Sequence, residues 1–263
     1  MSKRTQFRLV FFLLSTAVSL ATGKDRQPSL GCDPITARGR MLAEYDVAAW
    51  HATDAVEALK PDKSVAPDYI ARKIGVGWEV AFGRLNEKRD RFLVVYQASQ
   101  TGSPKEFTVK KLDPPSEDQG FYFAAAKALE TTLKDFGKPG RPYNKYVLPA
   151  ENSQLYVYFL PAQTTDGVYP LGADVRYLAS QDGNAILEKR QMHKTILEFD
   201  AKNMPKNATK IESGYHTHVL SNLPEDSDVF YVLSRNPLIP EYVGSPDKHI
   251  YVIQVDGSIE RVE

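Results

Sequence analysis

The feature that most constrains the fold is the series of short apolar runs in the C-terminal half of the chain. KYVLPA, QLYVYFLPA and DVRYLAS are rich in Val, Tyr, Leu and Phe, and turn residues such as QDGN at 181–184 separate the later runs. Runs of this length and composition between turn residues are typical of β-strands. We therefore predict sheets with antiparallel strands from about residue 145 onward.

Two segments of the N-terminal half have helical periodicity instead. From Arg40 to Leu59, apolar residues recur at steps of three and four, and Pro61 ends the pattern. This spacing places the apolar side chains on one face of a helix. The second segment, 116–137, has acids near its start and Gly137 at its end, which predicts a second helix.

Strand-like runs lie between these two segments. GWEVAFGRL and RFLVVYQAS, joined by NEKRD, predict a β-hairpin, and EFTVKKL predicts a further strand that Pro114 and Pro115 stop. The predicted fold class is α+β. An N-terminal helix–hairpin–strand–helix unit over 39–138 precedes a strand-rich α+β domain over 139–263, and the boundary lies near Lys138–Tyr146.

The first 23 residues predict a secretory signal peptide. The basic stretch MSKRTQFR precedes the apolar run LVFFLLSTAVSLA, and small residues at 19 and 21 suit cleavage. Residues 24–38 lack periodicity and predict a linker. We therefore expect a periplasmic or secreted protein.

Cys32 is the only cysteine, so no intramolecular disulfide can form. The run SLGC ending at Cys32 is weakly similar to a lipid-attachment motif. Lys24, Asp25 and Arg26 separate it from the apolar run, and this separation makes a lipid anchor the less favoured alternative. The favoured prediction places Cys32 in a flexible N-terminal segment.

Composition excludes some function classes. Lys and Arg total 33 and Asp and Glu total 33, so the formal net charge is zero and gives no support to a nucleic-acid partner. Beyond the signal peptide, no apolar run is long enough to cross a bilayer. The chain has no G-x-S-x-G, Walker or C-x-x-C motif. A peptide or protein partner remains open, and oligomeric state is not predicted.

A candidate metal site lies in SGYHTHVLSNLPEDSDVFYV, residues 213–232. Residues two apart in a strand point to the same side, so His216 and His218 would place both imidazoles on one face. This arrangement suits a zinc ion, and Asp228 at the start of the next helix would supply a third ligand, with Asp226 as the substitute if Asp228 points away. In the structural alternative, the histidines are hydrogen-bonded within a strand and the acids favour the helix N-terminus.

The same stretch resembles the JAB/MPN metalloprotease family, in which a strand ends in His-Ser/Thr-His and an acidic ligand opens the following helix. The resemblance covers roughly residues 145–263. It departs at Val219, where the family usually has proline, and Asp228 stands one position earlier than the family ligand. The resemblance implies a zinc-dependent hydrolase of peptide or isopeptide bonds, with Asp174 or Glu188 as the catalytic carboxylate that activates a metal-held water.

The whole chain is also similar to secreted proteobacterial proteins in which RPYNKYVLPA, DVRYLAS, EKRQMHK and YHTHV occur in this order. Two function classes therefore stay open: a periplasmic JAB/MPN-like zinc hydrolase, and a non-catalytic envelope-binding or toxin-neutralising module that reuses the fold. Bound metal, and loss of activity on chelation, would separate them.

Other histidines and aromatic residues have simpler interpretations. His193 in KRQMHK is predicted as a solvated or sheet-edge histidine, with a role as nearby base or ligand as the alternative. Trp50, Trp78 and the tyrosine pairs 143/146 and 156/158 are predicted in the core or on sheet faces. An exposed aromatic set would instead indicate a groove for peptide or glycan.

Overall fold

The computed structural model describes residues 31–62, 64–200, 202 and 210–262. The predicted signal peptide and most of the predicted linker lie outside these residues. The described ranges contain helices and many antiparallel strands, which confirms the predicted α+β class. Within those ranges, no helix is long and apolar enough to cross a membrane.

Three α-helices and one short 3-10 helix are present in the described part of the chain. The α-helices are α1 (Asp33–Glu57), α2 (Phe121–Phe136) and α3 (Asp226–Ser234), and the 3-10 turn spans Glu151–Ser153. Helix α1 matches the predicted periodicity, because Leu42, Tyr45, Ala49 and Ala52 are all buried.

The N-terminal sheet is an antiparallel meander of four strands. Its members are β1 (Asp68–Ile74), β2 (Gly77–Leu85), β3 (Phe92–Gln100) and β4 (Phe107–Asp118). The predicted hairpin corresponds to β2 and β3, whereas β1 was not predicted because DYIARKI mixes charged and apolar residues.

Strand β4 runs through Pro114 and Pro115, so the prediction that these prolines stop it was wrong. The strand lies at the edge of its sheet, where a residue without an N–H is tolerated. Because β4 continues to Asp118, helix α2 begins later than predicted, at Phe121.

The C-terminal part contains three further sheets. Strands β5 (Tyr143–Pro149), β6 (Leu155–Pro161), β8 (Val175–Ala179) and β9 (Ile186–Gln191) form an antiparallel sheet in that order. Strands β7 (Val168–Gly172) and β10 (Ile196–Asp200) pair antiparallel. The last sheet has the order β11 (Gly214–Thr217), β12 (Glu241–Gly244), β13 (Ile250–Ile253) and β14 (Ile259–Arg261), with β11 and β12 parallel.

The predicted linker extended too far. Helix α1 begins at Asp33, with Pro34 in its first turn, where proline suits a helix start. Cys32 has only 2% of its surface exposed and packs with Ile35, Val229 and Val243. The prediction of a flexible segment around Cys32 was therefore wrong, because this apolar contact anchors the start of α1.

Two large apolar clusters draw residues from both sides of the predicted boundary near residue 138. In the first, Tyr45 of α1 and Val80 of β2 share a core with Tyr146 and Tyr158. In the second, Phe92 of β3 belongs to the same cluster as strands β5, β6 and β8. The division into two domains stays a prediction.

Helices α1 and α3 cross closely at Gly39. A methyl group at this position would overlap the Cβ of Val229 and lie 2.7 Å from the backbone oxygen of Asp226. We expect Gly39→Ala to lower the free energy of unfolding by about 1–3 kcal/mol, the usual cost of overpacking. Urea denaturation would measure it, and Gly140→Ala is the control because no heavy atom lies within 4 Å of the added carbon. Equal stability of the two variants would show that α1 and α3 separate easily.

Candidate metal centre

Four buried side chains converge beside the start of α3. They are His193, His216, His218 and Asp228, and one potential ligand atom from each lies within 4.8 Å of all the others. The Nε2 atom of His218 lies 3.0 Å from that of His193 and 3.2 Å from that of His216. Such a group could hold a metal ion.

Strand geometry brings two of these side chains to the same side. In β11, Tyr215 and Thr217 are exposed, whereas His216 and the following His218 are buried at 4% and 5% exposure. This is the two-residue alternation of a strand with one face against the core. The backbone N–H of His218 donates to Gly244 of β12 at 2.8 Å, which extends this geometry past the end of β11.

The other two side chains come from different elements. His193 lies two residues after the end of β9, and its backbone N–H donates to the carboxylate of Asp174 at 3.0 Å. Asp228 is in the first turn of α3, and its Oδ2 accepts the backbone N–H of Glu225 at 2.7 Å. This helix-capping bond directs the Asp228 carboxylate towards the three imidazoles.

Each imidazole is fixed through its Nδ1 atom. Nδ1 of His193 lies 2.9 Å from Asp174, Nδ1 of His216 lies 2.9 Å from Glu241, and Nδ1 of His218 lies 3.0 Å from the backbone oxygen of Leu223. A carbonyl or carboxylate oxygen accepts, so Nδ1 carries the hydrogen in each ring. In a neutral imidazole the Nε2 atom then has a lone pair, and all three Nε2 atoms face the same point.

The carboxylate that contacts His216 is itself held in place by a buried arginine. Glu241 accepts from the guanidinium of Arg235 at 2.7 Å, and that guanidinium also donates to the backbone oxygen of Ile239 at 2.7 Å. Both Glu241 and Arg235 are buried. Outer partners of this kind fix the orientation of histidine ligands in metal sites.

One oxygen of Asp228 is buried without a hydrogen bond. Its Oδ1 lies 3.0 Å from Nε2 of His193 and 3.2 Å from Nε2 of His216, yet neither contact has hydrogen-bond geometry. A buried polar atom without a partner costs about 1–3 kcal/mol, so such atoms are rare. A cation among these atoms would satisfy both the oxygen and the nitrogen lone pairs.

The distances suit a small tetrahedral ion. With metal–nitrogen bonds of about 2.05 Å, ligand atoms at tetrahedral corners are about 3.3 Å apart. The Nε2 and carboxylate atoms described above are separated by 3.0–3.2 Å. Four of the six donor–donor separations are therefore close to the tetrahedral value, and all six are within 4.8 Å, so one ion could lie among these donors.

Without a bound cation, protons on the imidazoles would balance the negative charge of the buried carboxylates. Burial lowers the pKa of His193, but the charges of Asp228 and Asp174 outweigh this and raise it to about 11. Burial likewise opposes protonation of His216, and Asp228 and then Glu241 raise its pKa to about 9. Burial disfavours the charged form of Asp228, yet the surrounding imidazoles hold its pKa well below the usual range. A metal would therefore compete with protons for these rings.

The two acids predicted as the third ligand contact different groups, although both lie in the first turn of α3. Asp228 joins the histidines, whereas Asp226 points into another network, where it is wholly buried. Arg38 donates to both Asp226 oxygens at 2.9 Å, Arg176 donates at 2.7 Å and Tyr158 at 2.8 Å. Asp226 is therefore a structural anchor for α3 and not part of the four-residue group.

The two acids predicted as catalytic are also placed apart from the Nε2 atoms. Asp174 contacts His193 on the Nδ1 side, so the imidazole ring lies between this carboxylate and the other ligands. Glu188 is exposed on β9 and lies 3.9 Å from Arg176. Neither side chain belongs to the group that could bind a metal.

His193 was predicted as solvated or at a sheet edge, and that prediction was wrong because the residue is buried within the group. Its alternative interpretation as a nearby ligand agrees with this position. The available signal was that three of the five histidines fall between residues 193 and 218.

No family model, curated protein or solved structure matches this chain. The resemblance of residues 145–263 to the JAB/MPN family therefore stays a prediction. The chemistry of the four converging side chains is the basis on which a function is inferred.

Proposed function

We propose that this protein binds one zinc ion through His193, His216, His218 and Asp228. The observation that carries the proposal is the orphaned Oδ1 of Asp228, buried within 3.2 Å of two imidazole nitrogens without a hydrogen bond. In the neutral rings the hydrogen is on Nδ1, so neither Nε2 atom can donate to this oxygen. A cation at the centre accounts for the contact without a hydrogen bond.

The donor set supports a transition metal over calcium or magnesium. Three imidazole nitrogens are borderline ligands that suit zinc, copper, iron or nickel, whereas calcium and magnesium take oxygen ligands. Three imidazoles and one carboxylate form a four-donor set that zinc takes readily, because zinc has no geometric preference from its d-electrons. The identification of zinc is part of the proposal, and the experiment below measures which metal is bound.

The arrangement supports a structural ion better than a hydrolytic one. Catalytic zinc sites usually have three protein ligands and leave one position to water, whereas four protein ligands complete a structural site. A general base must also lie within hydrogen-bond reach of the proton it removes. Asp174 and Glu241 lie behind the imidazole rings that they contact, and Glu188 is on the surface.

We therefore favour the non-catalytic binding module over the JAB/MPN-like hydrolase. In this account zinc joins three segments that are distant in sequence: the end of β9, strand β11 and the start of α3. The ion would fix α3 against the last sheet and so stabilise the surfaces that α3 contributes to. If the export predicted from residues 1–23 is correct, this module acts in the cell envelope or outside it.

Metal analysis of protein purified without a histidine tag tests the proposal. We expect about one zinc per chain in the wild type after dialysis, and under about one tenth in the His216→Ala/His218→Ala double variant. His249→Ala is the control, because the His249 side chain is partly exposed, contacts Asp247 and lies outside the four-residue group. Equal zinc in the wild type and the double variant, or none in either, would contradict the proposal.

The pH dependence of zinc binding follows from the raised pKa values. Near pH 7, His193 and His216 carry protons in the metal-free protein, because their pKa values are about 11 and about 9. Zinc must displace both, so we expect about two protons released per zinc at pH 7, and affinity that rises as pH increases towards 9. Calorimetry in buffers of different ionisation enthalpy would count them. Release of no protons would show that the imidazoles are already neutral.

The free energy of unfolding of the metal-free protein should fall as pH rises, whereas the affinity for zinc should increase. Both histidines have folded-state pKa values above the ordinary 6.5, so their contribution to stability is complete below pH 6.5. It is lost as pH rises through 9 and then 11.

A further inference from the structure

A second candidate site lies in a cleft of about 500 Å³ between α1, the start of β5 and the end of α3. Aromatic side chains dominate its lining: Trp50, Tyr69, Tyr169, Phe230 and Tyr231. Asp46 is the only charged residue among those that line it. We call this space the Asp46 cleft.

Asp46 has no cationic partner among the described residues. Its carboxylate accepts a hydrogen bond from the hydroxyl of Tyr146 at 2.8 Å, and no Lys or Arg of the described chain pairs with it. Burial raises the pKa of Asp46, and the bond from Tyr146 only partly opposes this. A positive charge would stabilise the ionised form of this partly buried carboxylate, and no Lys or Arg of the described ranges forms an ion pair with it.

Trp50, which lines the cleft, is unusually exposed for a tryptophan. Its side chain is 63% exposed, although tryptophan is mostly buried in folded proteins. His51 stacks on the indole at 4.9 Å with an angle of 13° between the rings. The interpretation of Trp50 as a core residue is therefore wrong, whereas Trp78, Tyr146 and Tyr158 are buried as predicted.

We infer that the Asp46 cleft binds an organic cation of the alkylammonium class, such as the side chain of a lysine in a partner peptide. Aromatic faces attract ammonium groups through their quadrupoles, and the carboxylate supplies the opposite charge. The remaining polar lining, Thr53, Asn144, Gln163 and Ser234, is uncharged. The charge of the cleft therefore complements a cation, and no lining residue repels one.

This inference is independent of zinc, since none of the four proposed ligands lines the cleft. The two sites share helix α3, whose first turn carries Asp228 and whose later residues Phe230 and Tyr231 line the cleft. A failure of zinc binding would leave the prediction for the cleft standing, and the reverse also holds.

Titration of the whole protein with short peptides tests the inference. The probe is acetyl-Gly-Lys-Gly-amide, and the matched neutral probe is the same peptide with its lysine acetylated on Nζ. Butylammonium tests for a free amine, and cellotetraose tests for a glycan. Tryptophan fluorescence reports the titration because Trp50 is exposed and Trp78 is buried, and calorimetry gives the affinity.

We expect the lysine peptide to bind and the acetylated peptide to bind at least about tenfold more weakly. Asp46→Asn and Trp50→Ala should each weaken the lysine peptide by about tenfold, whereas Asp54→Asn, an exposed acid on the same helix, should not. Trp50→Ala removes an exposed side chain, so it remains informative if Asp46→Asn fails to fold. Tighter binding of the peptide than of butylammonium would indicate a peptide partner, and equal binding a small amine. Equal affinity for both peptides, binding of cellotetraose alone, or no binding to the wild type would overturn the inference.

Discussion

Replacing Asp228 with asparagine is expected to weaken zinc binding by more than about 100-fold. Loss of an outer hydrogen-bond partner typically costs metal sites about 10- to 100-fold, and Asp228 is the only anionic donor among the four proposed ligands. Asparagine keeps an oxygen that can accept the N–H of Glu225, so the start of α3 is retained. The loss can then be assigned to the site and not to the helix.

Competition with a zinc-sensitive dye would measure the affinities, and thermal melts with and without a chelator would measure the linked stability. The wild type should lose stability when zinc is removed, because a ligand that binds only the folded state stabilises it. Asp228→Asn should melt at the same temperature in both conditions. Wild-type affinity in this variant would mean that the carboxylate does not bind the metal.

Replacing Asp226 with asparagine is expected to destabilise the fold while zinc binding continues. The carboxylate is wholly buried and accepts from Arg38, Arg176 and Tyr158. The amide would remove the counter-charge from both guanidinium groups and leave Arg176 the more distant Glu188 at 3.9 Å. Removing one partner of a buried ion pair costs about 3–5 kcal/mol. Because 24% of the Arg38 side chain and 12% of the Arg176 side chain are exposed, we expect the lower end of that range.

Urea denaturation would give this loss, which corresponds to a fall in Tm of roughly 6–12 °C. Asp256→Asn is the matched control, since Asp256 forms an exposed pair with Arg40 at 3.7 Å and such pairs contribute under about 1 kcal/mol. Unchanged stability together with loss of zinc would contradict the assignment and would make Asp226 a ligand.

Local patterns in the sequence predicted much of the architecture. The periodicity of α1 and the runs of β2, β3, β5, β6 and β8 are signals within a few residues, and each corresponds to a helix or strand. The start of α1 was missed because its evidence is tertiary: Cys32 and Ile35 are fixed by Val229 and Val243, which lie far away in the chain. The course of β4 through Pro114 depends on its edge position, which the sequence of that strand alone does not reveal.

The same contrast between local sequence signals and tertiary contacts applies to the candidate site. His216 and His218 were predicted together because strand periodicity alone places them on one face. Asp228 was predicted ahead of Asp226, but the contacts that draw Asp226 away from the histidines could not be predicted, since Arg38 and Arg176 are distant from it in sequence. The prediction for His193 was wrong for a similar reason, because its contact with Asp174 joins two segments that are 19 residues apart in the sequence.

The most direct test of the central claim is zinc K-edge X-ray absorption on protein dialysed against zinc. We expect a four-coordinate ion with three imidazole nitrogens and one oxygen at about 2.0–2.1 Å. His193→Ala should lower the imidazole count to two, which would distinguish this ligand from His216 and His218 at the end of β11. A zinc ion with fewer than two imidazoles, or a protein that retains no zinc after dialysis, would contradict the account.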